Sequence, residues 1–430
     1  MIKSLLLTPF QKFYKSESFA GILLFGATII ALIWANSPYS AYYESLWQYK
    51  IGISFGGFEL KKPLILWIND GLMSVFFFLI GLELKRELLI GEINTVKKAA
   101  FPLIAALGGV LVPIGLYLFL NQNPDTTKGW GIPMATDIAF ALAILSTLGK
   151  RVPLSLKIFL TAFAIIDDIA AVLVIAVFYS VSINWSYMLY ASMLISFLAL
   201  LYYKKKYSFT LGIILAIIIW FLFLKSGVHP TIAGVLLAFT IPIKRRLNRK
   251  SFSTQLSAIA NKIVTVSDDE KHLLTNSELK NIGDLKDLTF EVSSPLQHLE
   301  HKLHGLIAYF VLPVFAFANA GVVIGLDHDF DFSLMANIAI SLFIGKFVGV
   351  ALFSYLGIKA KITELPRGVR FKQILGISAI AGVGFTMSIF IDNLAFYGDI
   401  VSIDSAKVGI IIGSLISGIV GYLIIRLPSK

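Results

Sequence analysis

Long apolar runs recur along the whole chain, and they constrain its fold more than any other feature of the sequence. In a bilayer every backbone N–H and C=O group must find a partner inside the protein, which only helices and closed barrels allow. The runs do not alternate between apolar and polar residues as barrel strands do. They predict an all-α polytopic membrane protein of about 12 transmembrane helices. The runs lie near residues 18–36, 63–84, 99–120, 132–148, 154–178, 185–203, 207–224, 229–243, 304–326, 334–356, 373–396 and 406–426.

The composition supports a membrane protein and excludes several other classes. Of the 430 residues, 57% are hydrophobic and only 15% are charged, which is far from the balance of soluble proteins. The net charge of +11 could indicate a nucleic-acid partner. The lysines and arginines lie in short alternate loops, however, so we attribute them to membrane topology and predict no nucleic-acid partner. The absence of cysteine excludes disulfides, thiolate metal sites and cysteine nucleophiles.

Alternate loops differ in charge, and this difference predicts the topology. The basic loops contain Lys12, Lys15, Lys85, Arg86, Lys97, Lys98, Lys150, Arg151, Lys204 to Lys206, Lys244 to Arg246 and Lys359 to Lys372. The opposite loops contain Asp125, Asp327, Asp329, Asp331, Asp399 and Asp404. Because basic loops stay in the cytoplasm, both chain ends are predicted to be cytoplasmic. The short Leu5-Leu6-Leu7 run has no cleavage site after it, so we expect no cleaved signal peptide.

The order of the runs divides the chain into five parts. We predict a cytoplasmic N-terminus at 1–17, eight spans at 18–243, a polar cytoplasmic insert at 244–303, four spans at 304–426 and a cytoplasmic end at 427–430. Between the first two spans, residues 49–60 alternate around Gly56-Gly57, which predicts a β-hairpin. The insert has a short amphipathic pattern near 254–266 and no chemistry that we can assign.

Two adjacent carboxylates, Asp167 and Asp168, lie in the middle of the apolar run 154–178. Each aspartate at the centre of a span costs about 2.5 to 3.5 kcal/mol, so the pair is expected to be functional. Neighbouring residues point about 100° apart on a helix, so the two side chains need different partners. Carboxylates in separate environments can bind a hard cation and also release protons.

Two spans contain helix-breaking residues at membrane depth. The fourth begins with Gly131-Ile132-Pro133 and continues into Thr136 and Asp137, and the eleventh has Gly382 and Gly384 in its middle. Paired interrupted spans indicate a binding site where they meet, although glycine and proline are also common in ordinary membrane helices. The tenth span holds Lys346 too deep to reach water easily, so it needs a carboxylate: Asp137, Asp167 or Asp168.

The insert ends in a histidine-rich segment, His298 to His304, at the mouth of the ninth span. An HxxEH zinc motif would need histidine at Gln297, and the HExxH order is also missing. Titration near neutral pH is therefore favoured over zinc binding, and a simple solvated face is the alternative.

Several ordered stretches resemble the bacterial NhaA-type sodium/proton antiporter family along nearly the whole chain. The matching stretches are Trp67-Ile68-Asn69-Asp70, Gly81 to Glu87, Ala135 to Phe140, Asp167-Asp168, Ser226 to His229, Phe315 to Gly321, Gly345-Lys346 and Gly384 to Phe390. The resemblance implies inverted repeats with interrupted spans four and eleven, a bacterial inner-membrane location and no cofactor. The sequence differs from the family pattern in two places: the insert is longer, and Asp392 is an extra acid.

The resemblance also implies roles for individual residues. Asp168 would be the main Na⁺ ligand, beside Asp167, which pairs with Lys346 in one state. Thr136 and Asp137 would lie where the interrupted spans cross, with Asp137 offsetting the positive helix ends. The residues implied in a pH response are Glu83, Glu87, His229, Glu300, His301 and His304.

The predicted function is an electrogenic, pH-regulated secondary antiporter, not an enzyme. It would exchange cytoplasmic Na⁺ or Li⁺ for external protons, contact membrane lipid and form a homodimer through the hairpin. One alternative is a sodium-coupled symporter of an organic anion, which needs a polar substrate cavity. A less favoured alternative is an intramembrane aspartyl protease, whose Gly-x-Gly-Asp signature is missing. A single-chain ATP-driven pump is excluded because the GxxxxGK[ST] motif is missing.

Overall fold

The computed structural model describes residues 9–55, 58–91, 95–180, 182–204, 208–244, 249–266, 275–292, 294–324 and 329–427. Within these residues the chain consists of helices and a single two-stranded hairpin. The all-α prediction is therefore confirmed. The Gly56-Gly57 turn that we predicted for the hairpin lies outside the described residues.

In the first half of the chain, the described residues form the hairpin and nine helices, with a 3₁₀ segment at Pro124–Met134. The elements are α1 (Pro9–Ala35), α2 (Ser40–Gln48), β1 (Lys50–Phe55), β2 (Phe58–Pro63), α3 (Leu64–Ile90), α4 (Val96–Leu120), α5 (Ile138–Thr147), α6 (Leu154–Phe178), α7 (Trp185–Tyr203), α8 (Phe209–Ser226) and α9 (Thr231–Thr240). Helix α8 is followed by Gly227, whose φ of 82° is the left-handed conformation that stops a helix.

The second half begins with two helices in the polar insert. The elements are α10 (Arg249–Val266), α11 (Asn276–Val292), α12 (Pro295–Asn319), α13 (Phe332–Lys359), α14 (Phe371–Ile380), α15 (Phe385–Ala395) and α16 (Ile400–Arg426). Helix α12 begins at Pro295, inside the stretch that the sequence assigned to the insert. Proline suits the first helical turn, and Leu296 and Leu299 bury themselves in the bundle, so this polar stretch belongs to the helix.

The helices are long and apolar enough for a multi-pass membrane protein. Among the described residues, eight helices pass this criterion by themselves, and the number rises to eleven when each of three bent pairs is counted as one span. One bent pair is α1 with α2, which meet at 114°. The short apolar helix α9 corresponds to the predicted span 229–243.

Close packing between α4 and α13 determines where Lys346 lies. Gly108 of α4 and Gly349 of α13 face each other so closely that a Cβ on either would overlap the carbonyl oxygen of the other. One turn earlier, Gly345 packs against Pro113 of α4. Glycines at these positions let the two backbones approach, and the approach directs Lys346 into the bundle, where it is completely buried.

In the part of the chain that the structure describes, three π-helical turns interrupt the long helices. They cover Trp67–Leu72 in α3, Ile307–Val311 in α12 and Ser341–Gly345 in α13. A π-helical turn places an extra residue in the helix and re-aims the side chains beside it, often at functional sites. The turn in α13 ends directly before Lys346, and the turn in α3 carries Asn69 and Asp70.

The hairpin is attached to the start of α3. Its two strands are antiparallel, with Ile51 opposite Lys62 in the register. The indole N–H of Trp67 donates to the Ile51 carbonyl at 2.9 Å, and Lys62 forms an ion pair with Asp70 at 2.9 Å. The Ile51 side chain stays exposed. The hairpin is therefore anchored at its base and presents apolar surface outward.

Candidate functional site

Two broken helices meet in the middle of the bundle. The 3₁₀ segment and α5 form one pair with a bend of 47°, and α14 and α15 form the other with a bend of 43°. The backbone N–H of Asp137 donates to the Val383 carbonyl at 2.6 Å, and the Thr136 hydroxyl donates to the Ala381 carbonyl at 2.9 Å. The two breaks thus satisfy each other's backbone groups, which is what allows irregular backbone at this depth.

Asp137 joins the positive ends of two helices. One carboxylate oxygen accepts from the Phe140 backbone N–H at the start of α5, at 3.1 Å. The other accepts from the backbone N–H of Thr386 at the start of α15, at 3.0 Å, and from the Thr386 hydroxyl. The side chain is buried. Asp137 therefore caps both helices and places a negative charge where their dipoles are positive.

Asp167 and Lys346 form a buried ion pair. The Lys346 ammonium lies 2.8 Å from each carboxylate oxygen of Asp167, and both side chains are fully out of solvent. The ammonium also lies over the Phe163 ring, 5.6 Å from its centre. Thr136 is a further neighbour of the Asp167 carboxylate. The sequence left three carboxylates as possible partners of Lys346, and in the structure its partner is Asp167.

Asp168 has a different environment, although it follows Asp167 directly. Its side chain is 3% exposed and makes no hydrogen bond or ion pair within the described part of the chain. The charges that act on it are those of Asp167, Glu83, Asp137 and Lys346. Because Lys346 is held by Asp167, the Asp168 carboxylate has no cation of its own. A carboxylate in such surroundings can bind a proton or a hard cation.

The predicted pH-response residues fall into two separate groups, and the first surrounds Arg86. Its guanidinium lies 2.9 Å from Glu87 and 3.0 Å from Glu300, and so joins α3 to α12. His301 points to solvent, and His304 is partly buried on the same helix. Arg86 was predicted only as a topology charge, and its role as the residue that bridges the two acids was not predicted from the sequence.

Helix α3 also connects this first group to the crossing. Glu83, one turn before Glu87, is close enough for its charge to act on Asp168. The Lys85 ammonium donates to the carbonyls of Phe239 and Ile241, both at 2.6 Å, at the end of α9. Lysine at a helix C-terminus satisfies carbonyls that lack intrahelical partners.

His229 forms the second group, with residues next to the hairpin. Its Nδ1 lies 2.8 Å from the Thr231 hydroxyl, and its Nε2 lies 3.7 Å from Asp70, the partner of Lys62. Its ring contacts Phe390 edge-on. The sequence included Asp70 in a matching stretch without giving it a role. No described contact joins His229 to the group around Arg86.

A buried amide cluster links α15 to two other helices. Asn69 and Asn319 exchange hydrogen bonds of 3.1 and 2.9 Å, which joins α3 to α12. Asn393 of α15 donates to Asn319 at 3.0 Å. Asn69 and Asn319 belong to matching stretches, but their pairing was not predicted from the sequence. Three amides that pair in this way hold the helices in register without burying a charge.

The chain matches the protein family described as Na⁺/H⁺ antiporter 1 over residues 11–425. A Na⁺/H⁺ antiporter NhaA of Oleidesulfovibrio alaskensis is 46% identical over 98% of this chain and 94% of its own length. A protein named Na⁺/H⁺ antiporter NhaA 1 of Saccharophagus degradans is 43% identical, over 97% and 91% of the two chains. The Bacteroides thetaiotaomicron Na⁺/H⁺ antiporter NhaA is 43% identical, over 98% of both.

These relatives are named as transporters and not as enzymes, and they match this chain from the first helix to the last. The match covers both broken helices and the buried Asp167–Lys346 pair, so the geometry at the crossing lies within the shared region. The protein is therefore a multi-pass membrane transporter that belongs to the Na⁺/H⁺ antiporter NhaA family.

Proposed function

We propose that the protein is an electrogenic, pH-regulated antiporter that exchanges cytoplasmic Na⁺ or Li⁺ for external protons by alternating access. The observation that carries this proposal is the Asp168 carboxylate, which is buried beside the crossing without a cation of its own. The names of the relatives favour exchange of Na⁺ for H⁺ over a symporter of organic anions. The residues proposed to hold the cation or protons are Asp167, Asp168, Asp137, Thr136 and Lys346.

Competition for the same oxygens makes the exchange obligatory. Na⁺ is a hard cation that takes oxygen ligands, and Asp168 supplies a charged oxygen, with Asp167 beside it and Thr136 as a neighbour. A proton on Asp168 removes the charge that attracts Na⁺, so the site carries one ion or the other. If more protons than Na⁺ ions exchange, each cycle moves net charge, and a membrane potential contributes about 2.3 kcal/mol per charge per 100 mV.

The proposed topology has twelve spans, with both termini in the cytoplasm of a bacterial inner membrane. It counts the eight long helices, the three bent pairs and α9. In this topology the 3₁₀ segment with α5 is span four, and α14 with α15 is span eleven, and the two belong to inverted repeats. The insert at 244–303 is cytoplasmic, and the hairpin is extracytoplasmic.

The hairpin is proposed to pair with its copy in a second protomer. Two strands alone are marginally stable, and an exposed strand edge offers unpaired backbone groups to a partner. A two-fold contact would extend the sheet from two strands to four. Deleting 53–58 should then weaken dimers in detergent and leave exchange unchanged. The mass of the deletion variant in detergent tests this, and an undiminished dimer fraction would contradict it.

Replacing Asp168 with asparagine should abolish exchange without preventing insertion. The amide keeps the size of the side chain and removes the charge that a hard cation needs. The measurement is the dequenching of a pH dye in inside-out vesicles after addition of Na⁺, Li⁺ or K⁺. Asp125→Asn, at an exposed aspartate, is the matched control and should behave like the wild type. Normal Na⁺-dependent dequenching by a folded Asp168→Asn protein would refute the ligand assignment, and dequenching with K⁺ alone would refute the antiporter.

Replacing Lys346 with methionine should destabilise the protein because it leaves the Asp167 carboxylate buried without a cation. Breaking a buried pair in this way typically costs about 3 to 5 kcal/mol. The loss of stability should be smaller in acid, where a proton can neutralise Asp167. It should be smaller again in the double variant Lys346→Met with Asp167→Asn, which has no buried charge at this position. Thermal unfolding in detergent at two pH values measures both effects. Equal stability of wild type and Lys346→Met at alkaline pH would show that the pair contributes nothing.

The group around Arg86 is proposed to control activity with pH. Histidines gain charge as pH falls through the neutral range. His301 and His304 lie on the same helix as Glu300, so when charged they would compete with Arg86 for it and weaken the bridge between α3 and α12 that is proposed to hold the active arrangement. The joint change His301→Ala and His304→Ala should therefore move the activity profile toward acid, with the apparent Na⁺ affinity at alkaline pH unchanged. Dye dequenching across pH measures the profile. An unmoved profile would leave proton competition at Asp167 and Asp168 as the sole origin of the pH response.

A further inference from the structure

Asp392 is a further buried acid, and it has no role in the exchange proposed above. It lies on α15, six residues beyond Thr386, which corresponds to about 9 Å along the helix. Its side chain is 0% exposed. Neither of its carboxylate oxygens has a hydrogen-bond partner among the described residues. In this respect it differs from Asp137 and Asp167, whose oxygens are all occupied.

The titratable groups that face Asp392 come from three helices. Asp404 and Lys407 lie on α16 and are its charged neighbours. Tyr117 of α4 and Tyr179 at the end of α6 are near enough for the Asp392 charge to act on them. Both tyrosine hydroxyls donate elsewhere, Tyr117 to the Thr126 carbonyl at 2.6 Å and Tyr179 to the Lys128 carbonyl at 2.8 Å. Neither of them stabilises a charge on Asp392.

Among the described residues, the cation that acts on Asp392 is Lys407, and it is already shared with another acid. The Lys407 ammonium lies 3.6 Å from Asp404, one turn away on the same helix. Lys407 and Asp404 are 12% and 18% exposed, so they connect the buried acid to solvent at the end of the bundle where α15 ends and α16 begins. An ionised carboxylate that is buried without a donor is so unfavourable that such a group takes up a proton instead. A protonated Asp392 fits this geometry.

We propose that Asp392 is a proton-binding site in the extracytoplasmic half of the bundle, which loads from the external solution past Lys407 and Asp404 and unloads toward the crossing during exchange. The orientation and the exchange cycle rest on the proposed function. The position of Asp392 supports this assignment because Ser388 and Thr386 lie between it and the breaks on α15. The Thr386 hydroxyl in turn donates to the Asp137 carboxylate at the crossing. A proton from outside therefore meets Asp392 before it meets the crossing.

The test is infrared spectroscopy of the purified full-length protein, compared with Asp392→Asn. The wild type should retain the carbonyl stretch of a protonated carboxylic acid at neutral pH, and a component of this band should be lost in Asp392→Asn. Asp125→Asn, which removes an exposed aspartate, should leave the band intact. Identical spectra for wild type and Asp392→Asn would overturn the proposal because Asp392 would then be ionised.

A transport measurement distinguishes a working proton site from a permanently neutral acid. In right-side-out vesicles loaded with Na⁺ at fixed internal pH, Asp392→Asn should shift the dependence of exchange on external pH and leave the dependence on internal Na⁺ unchanged. An unshifted external-pH profile would reduce Asp392 to a structural role and overturn the proposal. Wild-type vesicles without exchange would refute the proposed function instead, while the infrared band would still test proton binding.

A second variant covers the case in which Asp392→Asn does not fold. Lys407→Met removes the nearby cation and keeps a long, unbranched side chain. It should move the pH at which the carboxylic band of Asp392 disappears toward alkaline values because the carboxylate loses its favourable charge. A titration of the band identical to that of the wild type would contradict the proposed loading route.

Discussion

A helix that breaks inside a membrane releases backbone groups that no water can satisfy, and the rest of this structure depends on how they are satisfied. Here the two breaks satisfy each other, through Asp137 with Val383 and through Thr136 with Ala381. Each broken helix therefore depends on the other for partners of its backbone groups. The crossing is therefore a single unit, and the helices that present Asp167 and Lys346 pack around a point that is already fixed.

The charges at the crossing follow from this arrangement. Two helix N-termini converge there, and Asp137 neutralises their positive ends. Asp167 is neutralised by Lys346, which the glycine contact between α4 and α13 brings into place. With Asp137 neutralised by the helix ends and Asp167 by Lys346, Asp168 is the remaining acid at the crossing and has no cation of its own. A buried carboxylate in that condition favours a proton or a cation, and this is the basis of the competition proposed at Asp168.

Some of this could be predicted from the sequence because burial in a membrane is expensive. Helix α6 matches the predicted run 154–178 at both ends, since Pro153 precedes its first turn and a mostly apolar sequence continues to Phe178. The depth of Lys346 limited its partners to three acids. The family resemblance implied Asp167 among them, but the physical reason is the close approach of α4 and α13, which two separate glycines in the sequence do not reveal.

The cost of burial in a membrane does not predict the partners of polar residues at helix ends. Arg86 was attributed to topology because a charge near a helix end needs no partner, yet it bridges Glu87 and Glu300 across two helices. In the insert, the sequence indicated only a short helix near 254–266, whereas the structure has α10 and α11 and starts α12 at Pro295. Such amphipathic segments depend on what they pack against, and a sequence pattern alone does not identify that neighbour.

The two acids without partners, Asp168 and Asp392, differ in what their surroundings can bind. Na⁺ requires several oxygen ligands, and Asp168 has Asp167 next to it and Asp137 close enough to act on it, at a crossing rich in carbonyls. Asp392 is near one other acid, which Lys407 already holds, and near two tyrosines whose hydroxyls donate elsewhere. A lone carboxyl group lacks the oxygens that a metal ion needs, but a proton requires only one of them. The same physical cause, a buried carboxylate without a cation, therefore underlies both proposals, ion exchange at Asp168 and proton binding alone at Asp392.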